Sequence, residues 1–326
     1  MRDTYQREIN YLRVSVTDRC NLRCVYCMPP GGVKSTPHEE VLRLEEIETI
    51  IRASTLVGIK KIRLTGGEPL VRKGLEDLVR RISEIPGIDD ITLTTNALLL
   101  APRAVALKEA GVRRVNISLD TLRPDRYREI TRGGNLEVAW EGIQAALDAG
   151  LHPVKINTVI MRGVNEDELV ALARLTLNRP LHVRFIELMP IGSSNTWATG
   201  RYLPADEAMK QISARLGPLL PAKKPSGDGP AKYYRLKDAE GTVGFITSMS
   251  DHFCKSCNRL RLTSVGGLRP CLYDSREIDL KTPLRGGAGL KEIAELIMDV
   301  IALKPDRHHM SEGWRDRHRV MSQIGG

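Results

Sequence analysis

Aromatic side chains are scarce: 3 Trp, 8 Tyr and 3 Phe make up 4% of the 326 residues. Proteins that stack successive bases along a nucleic-acid strand need a row of such rings, so the composition counts against an extended nucleic-acid platform. Long apolar runs are missing as well. No stretch approaches the ~18 residues of a membrane span; the apolar stretch 296–303 is broken by Asp299. The opening residues carry Arg2, Asp3, Arg7 and Glu8 and lack the apolar core of a secretory signal. These absences predict a cytoplasmic protein whose partners include neither membrane nor nucleic acid. Cysteine is absent from the whole interval between Cys27 and Cys254.

What is present is ordinary for a globular chain. Hydrophobic residues make up 41% and charged residues 27%, enough to bury a sizeable core. The length suits two domains or one α/β barrel with an appendage. Lys and Arg total 49 against 40 Asp and Glu, a formal charge of +9 that favours anionic partners.

From 11 to about 189 short β-rich runs alternate with helical patterns. Strands are predicted at 12–16, 61–64, 91–95, 114–119, 153–160 and 182–188, with helices at 44–56, 75–82, 101–110, 136–149 and 166–176 between them. Six such units with right-handed crossovers predict an α/β fold, a partial (β/α)6 TIM-like barrel with its functional loops at the C-terminal strand ends. The composition shifts after Ile191, so residues 1–191 read as the barrel and 192–326 as a smaller C-terminal α+β region. There the pattern predicts a loop at 192–195, helices at 205–216 and 290–303, and strands at 233–236 and 242–246.

The six cysteines form two triplets, Cys20, Cys24 and Cys27, then Cys254, Cys257 and Cys271. Disulfides suit a small exported chain better than this one. A structural zinc wants four ligands, and so does a fully capped iron-sulfur cluster. Each triplet is one ligand short. Either each holds a cluster with one iron open to a small molecule, or the triplets form zinc sites completed by His252, His308 or His309. The first triplet directly follows the first predicted strand, at the functional end of a barrel.

Thr65-Gly66-Gly67-Glu68-Pro69 follows the second strand. Its glycines let backbone approach a ligand closely, and Glu68 could receive a ligand ammonium; the same string also suits an ordinary turn. Arg13, Arg63, Lys155 and Arg184 each fall in a different predicted strand. A barrel interior is normally filled by branched apolar side chains, so these cations either face outward or surround an anion such as a triphosphate, whose oxygens match Arg forks. If 259–261 is extended, Arg259 and Arg261 share a face. Lys304, Arg307, Arg315, Arg317 and Arg319 read as a solvated face, His308 and His309 as surface residues, and Gly325-Gly326 as a frayed end.

The string Cys20-Asn21-Leu22-Arg23-Cys24-Val25-Tyr26-Cys27 resembles the radical S-adenosylmethionine superfamily. Together with Cys254-Lys255-Ser256-Cys257-Asn258-Arg259-Leu260-Arg261, Cys271 and the terminal glycines, the chain is similar from about Leu12 to its end to the GTP 3',8-cyclase family, which begins molybdenum cofactor synthesis. The resemblance implies two 4Fe-4S clusters and S-adenosylmethionine as cofactors. It implies that a 5'-deoxyadenosyl radical takes hydrogen from the 3' carbon of GTP, and that the substrate radical adds to carbon 8 of guanine while the second cluster binds the base. Matched motif by motif, Tyr26, Gly67, Ser118 and Met189 would contact the cofactor. Arg13, Arg63, Thr94, Lys155, Arg184 and the run Arg259-Leu260-Arg261 would contact GTP. Arg259, Arg261, Gly325 and Gly326 are the candidate catalytic residues, the two glycines on a tail entering the barrel. The resemblance also implies a reductant protein as electron donor, transfer of product to cyclic pyranopterin monophosphate synthase, and a homodimer. Two other readings compete: a radical maturase with an auxiliary cluster, which would not need GTP, and a zinc or iron-sulfur regulator on nucleic acid, whose binding would depend steeply on salt.

Overall fold

In the computed structural model, residues 1–34, 36–191, 198, 200–308 and 319–325 are described. The predicted loop at 192–195 lies outside them. The six barrel strands are β1 (Tyr11–Ser15), β2 (Lys61–Thr65), β3 (Asp90–Thr95), β4 (Arg114–Ser118), β5 (Val154–Ile160) and β6 (Leu181–Glu187). They pair in parallel in chain order. The crossovers include α1 (Leu44–Leu56), α2 (Leu75–Ser83), α3 (Ala104–Ala110), α4 (Pro124–Thr131), α5 (Leu136–Asp148) and α6 (Leu169–Arg174).

Two of these helices are shorter than the periodicity suggests, because 3-10 turns, Ala101–Arg103 and Glu166–Glu168, replace their first turns. Pro102 explains the former, since it removes an amide donor. Helix α4 escapes a hydrophobic-periodicity reading because only Tyr127, Ile130 and Thr131 are buried among its charged residues.

The C-terminal strands extend the same sheet at both edges. After β7 (Leu220–Pro221) and β8 (Lys232–Arg235), β9 (Thr242–Ile246) runs parallel beside β6, and β10 (Arg259–Leu262) runs parallel beside β1. Antiparallel β11 (Gly267–Arg269) and β12 (Ile278–Asp279) follow β10, giving a 12-stranded sheet whose edges are β12 and β7. The helix Leu290–Ala302 packs on α1 and covers the β10 side.

Side-chain alternation along the strands sorts two environments. Leu12, Val14, Ile62, Leu64, Leu93, Val115, Ile156, Val183 and Leu260 belong to one contiguous apolar core beneath the helices. The alternate positions hold Arg13, Arg63, Thr92, Asn116, Lys155, Arg184 and Arg261, all buried. The usual apolar filling of a barrel is thus replaced by polar groups, and a chamber stays open. At the N-terminal strand ends the segment joining β7 to β8 crosses beneath it: Lys61 pairs with Asp228, and Lys155 Nζ donates to the Ser226 carbonyl. Among the described residues no helix is long and apolar enough to cross a membrane.

At the end of β6, fully buried Glu187 accepts from Ala205 N at 3.0 Å, Met249 N at 2.8 Å, Ser250 N at 2.9 Å and Ser250 Oγ at 2.5 Å. One carboxylate thereby joins three segments. Glu187→Ala strands buried amides without an acceptor and should lower stability by about 3 kcal/mol. Urea unfolding of the iron-free chain measures this, and a loss below about 1 kcal/mol would contradict the role.

Candidate active site

Chain direction places the two cysteine triplets at opposite ends of the chamber. Cys20, Cys24 and Cys27 follow β1, at the C-terminal strand ends. Cys254 sits in the turn Cys254–Ser256, Cys257 just before β10, and Cys271 just after antiparallel β11, so this triplet lies at the N-terminal ends. All six are free thiols, and all line one cavity of about 310 Å³. Among the described residues, no three His, Cys, Asp or Glu side chains converge on a position for a single metal ion.

The first loop is held from two sides. Arg23 N and Val25 N donate to Thr131 O and Ile130 O at 3.0 and 2.9 Å, and Arg132 Nη1 reaches Arg23 O and Met28 O at 3.0 and 2.9 Å. From the other side, Gly67 N donates to Thr17 O and Glu68 N to Arg19 O, both at 2.8 Å. A Cβ on Gly66 would stand 2.4 Å from Thr17 O, and one on Gly67 2.3 Å from Arg19 O. The paired glycines therefore let the two loops lie edge to edge.

The carboxylate of Glu68 accepts from Leu70 N, Thr95 Oγ1 and Asn96 N at 3.0, 2.8 and 2.7 Å, yet burial pushes it up to about 7. It lines the cavity, where a ligand ammonium would restore its charge. Tyr26, Gly67, Ser118 and Met189 line the same end. Tyr26 donates its hydroxyl to Asp120 at 2.6 Å, and burial pushes Asp120 up to about 6. Burial likewise raises the Cys20 and Cys27 thiols, to about 11 and about 12. Three thiols grouped in this way fit an iron-sulfur cluster that leaves one iron open.

Between the triplets the wall is cationic. Parallel pairing sets Arg261 beside Arg13 and Arg13 beside Arg63. Arg13, Arg63, Arg184, Arg259 and Arg261 line the cavity, and none forms an ion pair with a carboxylate among the described residues. Arg184 Nη2 donates to Asn116 Oδ1 at 2.6 Å, and Arg259 stacks over the Phe253 ring at 4.8 Å. Burial and then the neighbouring Arg261 and Arg63 hold Arg13 well below the usual guanidinium range; burial and Arg259 bring Arg261 to about 9. Arg13 Nε, Arg184 Nε, Thr94 Oγ1 and Asn157 Oδ1 are buried without a hydrogen-bond partner among the described residues. The arginine and threonine groups fit an anionic guest, and the Asn157 oxygen, which only accepts, fits a donor on it. At the second triplet burial raises Cys257, but Arg259 and Lys304 outweigh it and hold the thiol at about 6.

Residues 14–176 match the Radical SAM superfamily and 181–310 match Molybdenum Cofactor Synthesis C. The GTP 3',8-cyclase of Pelotomaculum thermopropionicum is 79% identical over 326 residues, covering 100% of both chains, and that of Desulforamulus reducens is 58% identical over the same span. This chain belongs to the GTP 3',8-cyclase family. Streptococcus suis SuiB bound to S-adenosylmethionine has a similar fold, with a TM-score of 0.61 at 16% identity over 92% of this chain and 76% of that one.

Of the described GTP 3',8-cyclase motif residues, three do not line the cavity: Lys155, Leu260 and Gly325. Lys155 sits beneath it among Arg184, Arg114 and Arg63; burial first and these charges next lower its ammonium to about 6. The Leu260 side chain is fully buried in the apolar core, so only its backbone runs along the chamber. The tail does enter: Met321 and Ser322 line the cavity, Ile324 packs with Ile191 and Tyr273, and Gly325 O accepts from Arg261 Nη1 at 2.7 Å. Gly326 lies outside the described residues, as do His309, Arg315 and Arg317.

Two expectations are corrected. Lys304 is 3% exposed and donates to Arg259 O and Pro270 O at 2.8 and 2.7 Å, and His308 lines the cavity with Nε2 2.9 Å from Ser248 O. Burial through contacts remote in sequence hides both from a local reading. Asp120, Asn157, Phe253 and Tyr11 also line the cavity without having been singled out. Period-two alternation along β1 would have found Tyr11, two residues before Arg13. Deleting Gly325 and Gly326 removes the acceptor of Arg261. It should abolish cyclisation while leaving iron content and S-adenosylmethionine binding intact, and full turnover in the truncated chain would contradict a role for the tail.

Proposed function

We infer that the chain cyclises GTP to (8S)-3',8-cyclo-7,8-dihydroguanosine 5'-triphosphate, the first step of molybdenum cofactor synthesis. The observation that carries the reading is a chamber with three thiols at each end and, between them, buried arginines that have no carboxylate partner among the described residues. Cys20, Cys24 and Cys27 would hold a 4Fe-4S cluster beside S-adenosylmethionine, and Cys254, Cys257 and Cys271 a second one beside guanine. When bound, the first cluster with S-adenosylmethionine supplies the carbon radical that takes hydrogen from the 3' carbon of GTP, using an electron from a reductant protein.

The protein's own part is binding and exclusion. Arg13, Arg63 and Arg184 would neutralise the triphosphate, with Lys155 behind them, and Arg forks hold phosphate oxygens in a fixed orientation. Tyr26, Gly67, Ser118 and Met189 would seat S-adenosylmethionine, with Glu68 taking its ammonium. Thr94 lines the chamber, and its buried Oγ1, without a partner among the described residues, would bond the nucleotide. Arg259 and Arg261 would flank the site of carbon-carbon bond formation, Arg261 held by the tail. Enclosure by the tail and by the segment beneath the barrel keeps water from a reactive radical.

Anaerobic reconstitution with iron and sulfide should give about eight irons per chain. With reductant, GTP and S-adenosylmethionine should then be consumed together; zinc in place of iron, or GTP left untouched, would sink the reading. Lys155 supplies a pH test. Its free value of about 6 leaves it largely neutral near pH 8, and a neighbouring triphosphate raises that value. GTP binding near pH 8 should therefore take up about one proton, and affinity should fall as pH rises above 6. Calorimetry in buffers of different ionisation enthalpy reads the uptake. It should vanish in Lys155→Arg; undiminished uptake in that variant would assign the proton elsewhere.

A further inference from the structure

The three cysteines of the second triplet come from two backbone segments: Cys254 and Cys257 share one turn, where Cys257 N donates to Cys254 O at 3.1 Å, and Cys271 follows β11. Two buried cations from opposite ends of the chain meet there. Arg7, 7% exposed, donates through Nη1 to Cys254 O at 3.0 Å and to Asp306 O at 2.9 Å, and through Nη2 to Pro305 O at 2.7 Å. Asp3 aims it: Oδ2 accepts from Arg7 Nε at 2.6 Å, while Oδ1 accepts from Tyr5 N and Arg7 N, both at 2.9 Å. Lys304, adjacent to the Pro305 and Asp306 carbonyls that Arg7 grips, donates to Arg259 O at 2.8 Å and Pro270 O at 2.7 Å. Arg259 is two residues beyond Cys257, and Pro270 directly precedes Cys271.

We propose that Arg7 and Lys304 are positioning residues for an iron-sulfur cluster at the second triplet. Between them they hold the turn that carries Cys254 and Cys257 and the segment that carries Cys271 in one register by gripping the carbonyls of Cys254, Arg259 and Pro270. The inference rests on the two-cluster reading above. Burying two cations is expensive, and a buried ion pair such as Asp3–Arg7 is often no more stabilising than apolar side chains of the same volume. Its worth lies instead in the directed donors of the guanidinium fork, which tie three carbonyls from two segments at fixed angles. Lys304 has a second effect. It lines the cavity, so its charge faces the space a cluster would fill, and a nearby positive charge favours the reduced state of a cluster.

The test uses the full chain with Cys20, Cys24 and Cys27 all replaced by Ala, so that iron can bind only at the second triplet. After anaerobic reconstitution this parent should carry about four irons. Arg7→Ala and Lys304→Met should each cut that number at least fourfold. Lys304→Arg, which keeps donor and charge, should retain most of it, and Arg7→Lys, which loses the fork, should recover it only in part. In the iron that Lys304→Met does retain, the midpoint potential from an EPR-monitored titration should be more negative than in the parent. Thermal melts of the iron-free chains report folding; if Arg7→Ala does not fold, Arg7→Lys and the Lys304 pair decide. Full iron with unchanged EPR signal and potential in Arg7→Lys and Lys304→Met overturns the proposal. A parent that binds no iron at the second triplet overturns the two-cluster reading instead.

Discussion

Arg13, Arg63, Arg184 and Arg261 are each buried within the sheet's concave face, with no carboxylate to balance them among the described residues. Desolvating even one such charge costs several kcal/mol after relaxation. The cost is borne by the apolar layer on the opposite face of the same strands, where Leu12, Val14, Ile62 and Leu64 pack beneath the helices. Each strand thus spends one face on stability and the other on binding. Arg114 is the informative exception: it has Asp90 as a partner at 2.6 Å, while its neighbours along the chamber are left for a guest.

This constraint explains the placement of the C-terminal region. A six-stranded partial barrel would leave the edges of β1 and β6 exposed and the chamber open at the sides. β10 and β9 pair with those edges in parallel, and β10 brings Arg259, Arg261 and the approach to Cys257 with it. The matched Molybdenum Cofactor Synthesis C region thereby completes the chamber wall as well as carrying the second triplet. The segment bearing Ser226 and Asp228 closes the far end, and the tail bearing Gly325 closes the near one. Chemistry that makes a carbon radical needs such enclosure more than it needs speed of access.

Much of this was legible in the chain, for identifiable reasons. Cysteine spacing is a local property, so both triplets stood out. Arg13, Arg63, Lys155 and Arg184 stood out because each falls in a different predicted strand, where a barrel wants apolar groups, and helix α1 was found at its observed bounds because its buried residues follow the helical period. Helix α4 was not, since it is mostly charged. Lys304 and His308 were read as surface residues because the carbonyls they meet, those of Arg259, Pro270 and Ser248, are far away in sequence.

Residue order alone therefore determined the repeating strand-helix units, the two sulfur-rich motifs and the family to which they belong, because each is written in short-range spacing. Only the tertiary structure decided that the triplets stand at opposite ends of one chamber, that Leu260 faces the core while its neighbours face the cavity, and that Arg7 and Lys304 grip the same set of loops. Those relations depend on strand direction, register and burial, which arise when segments hundreds of residues apart exclude water together.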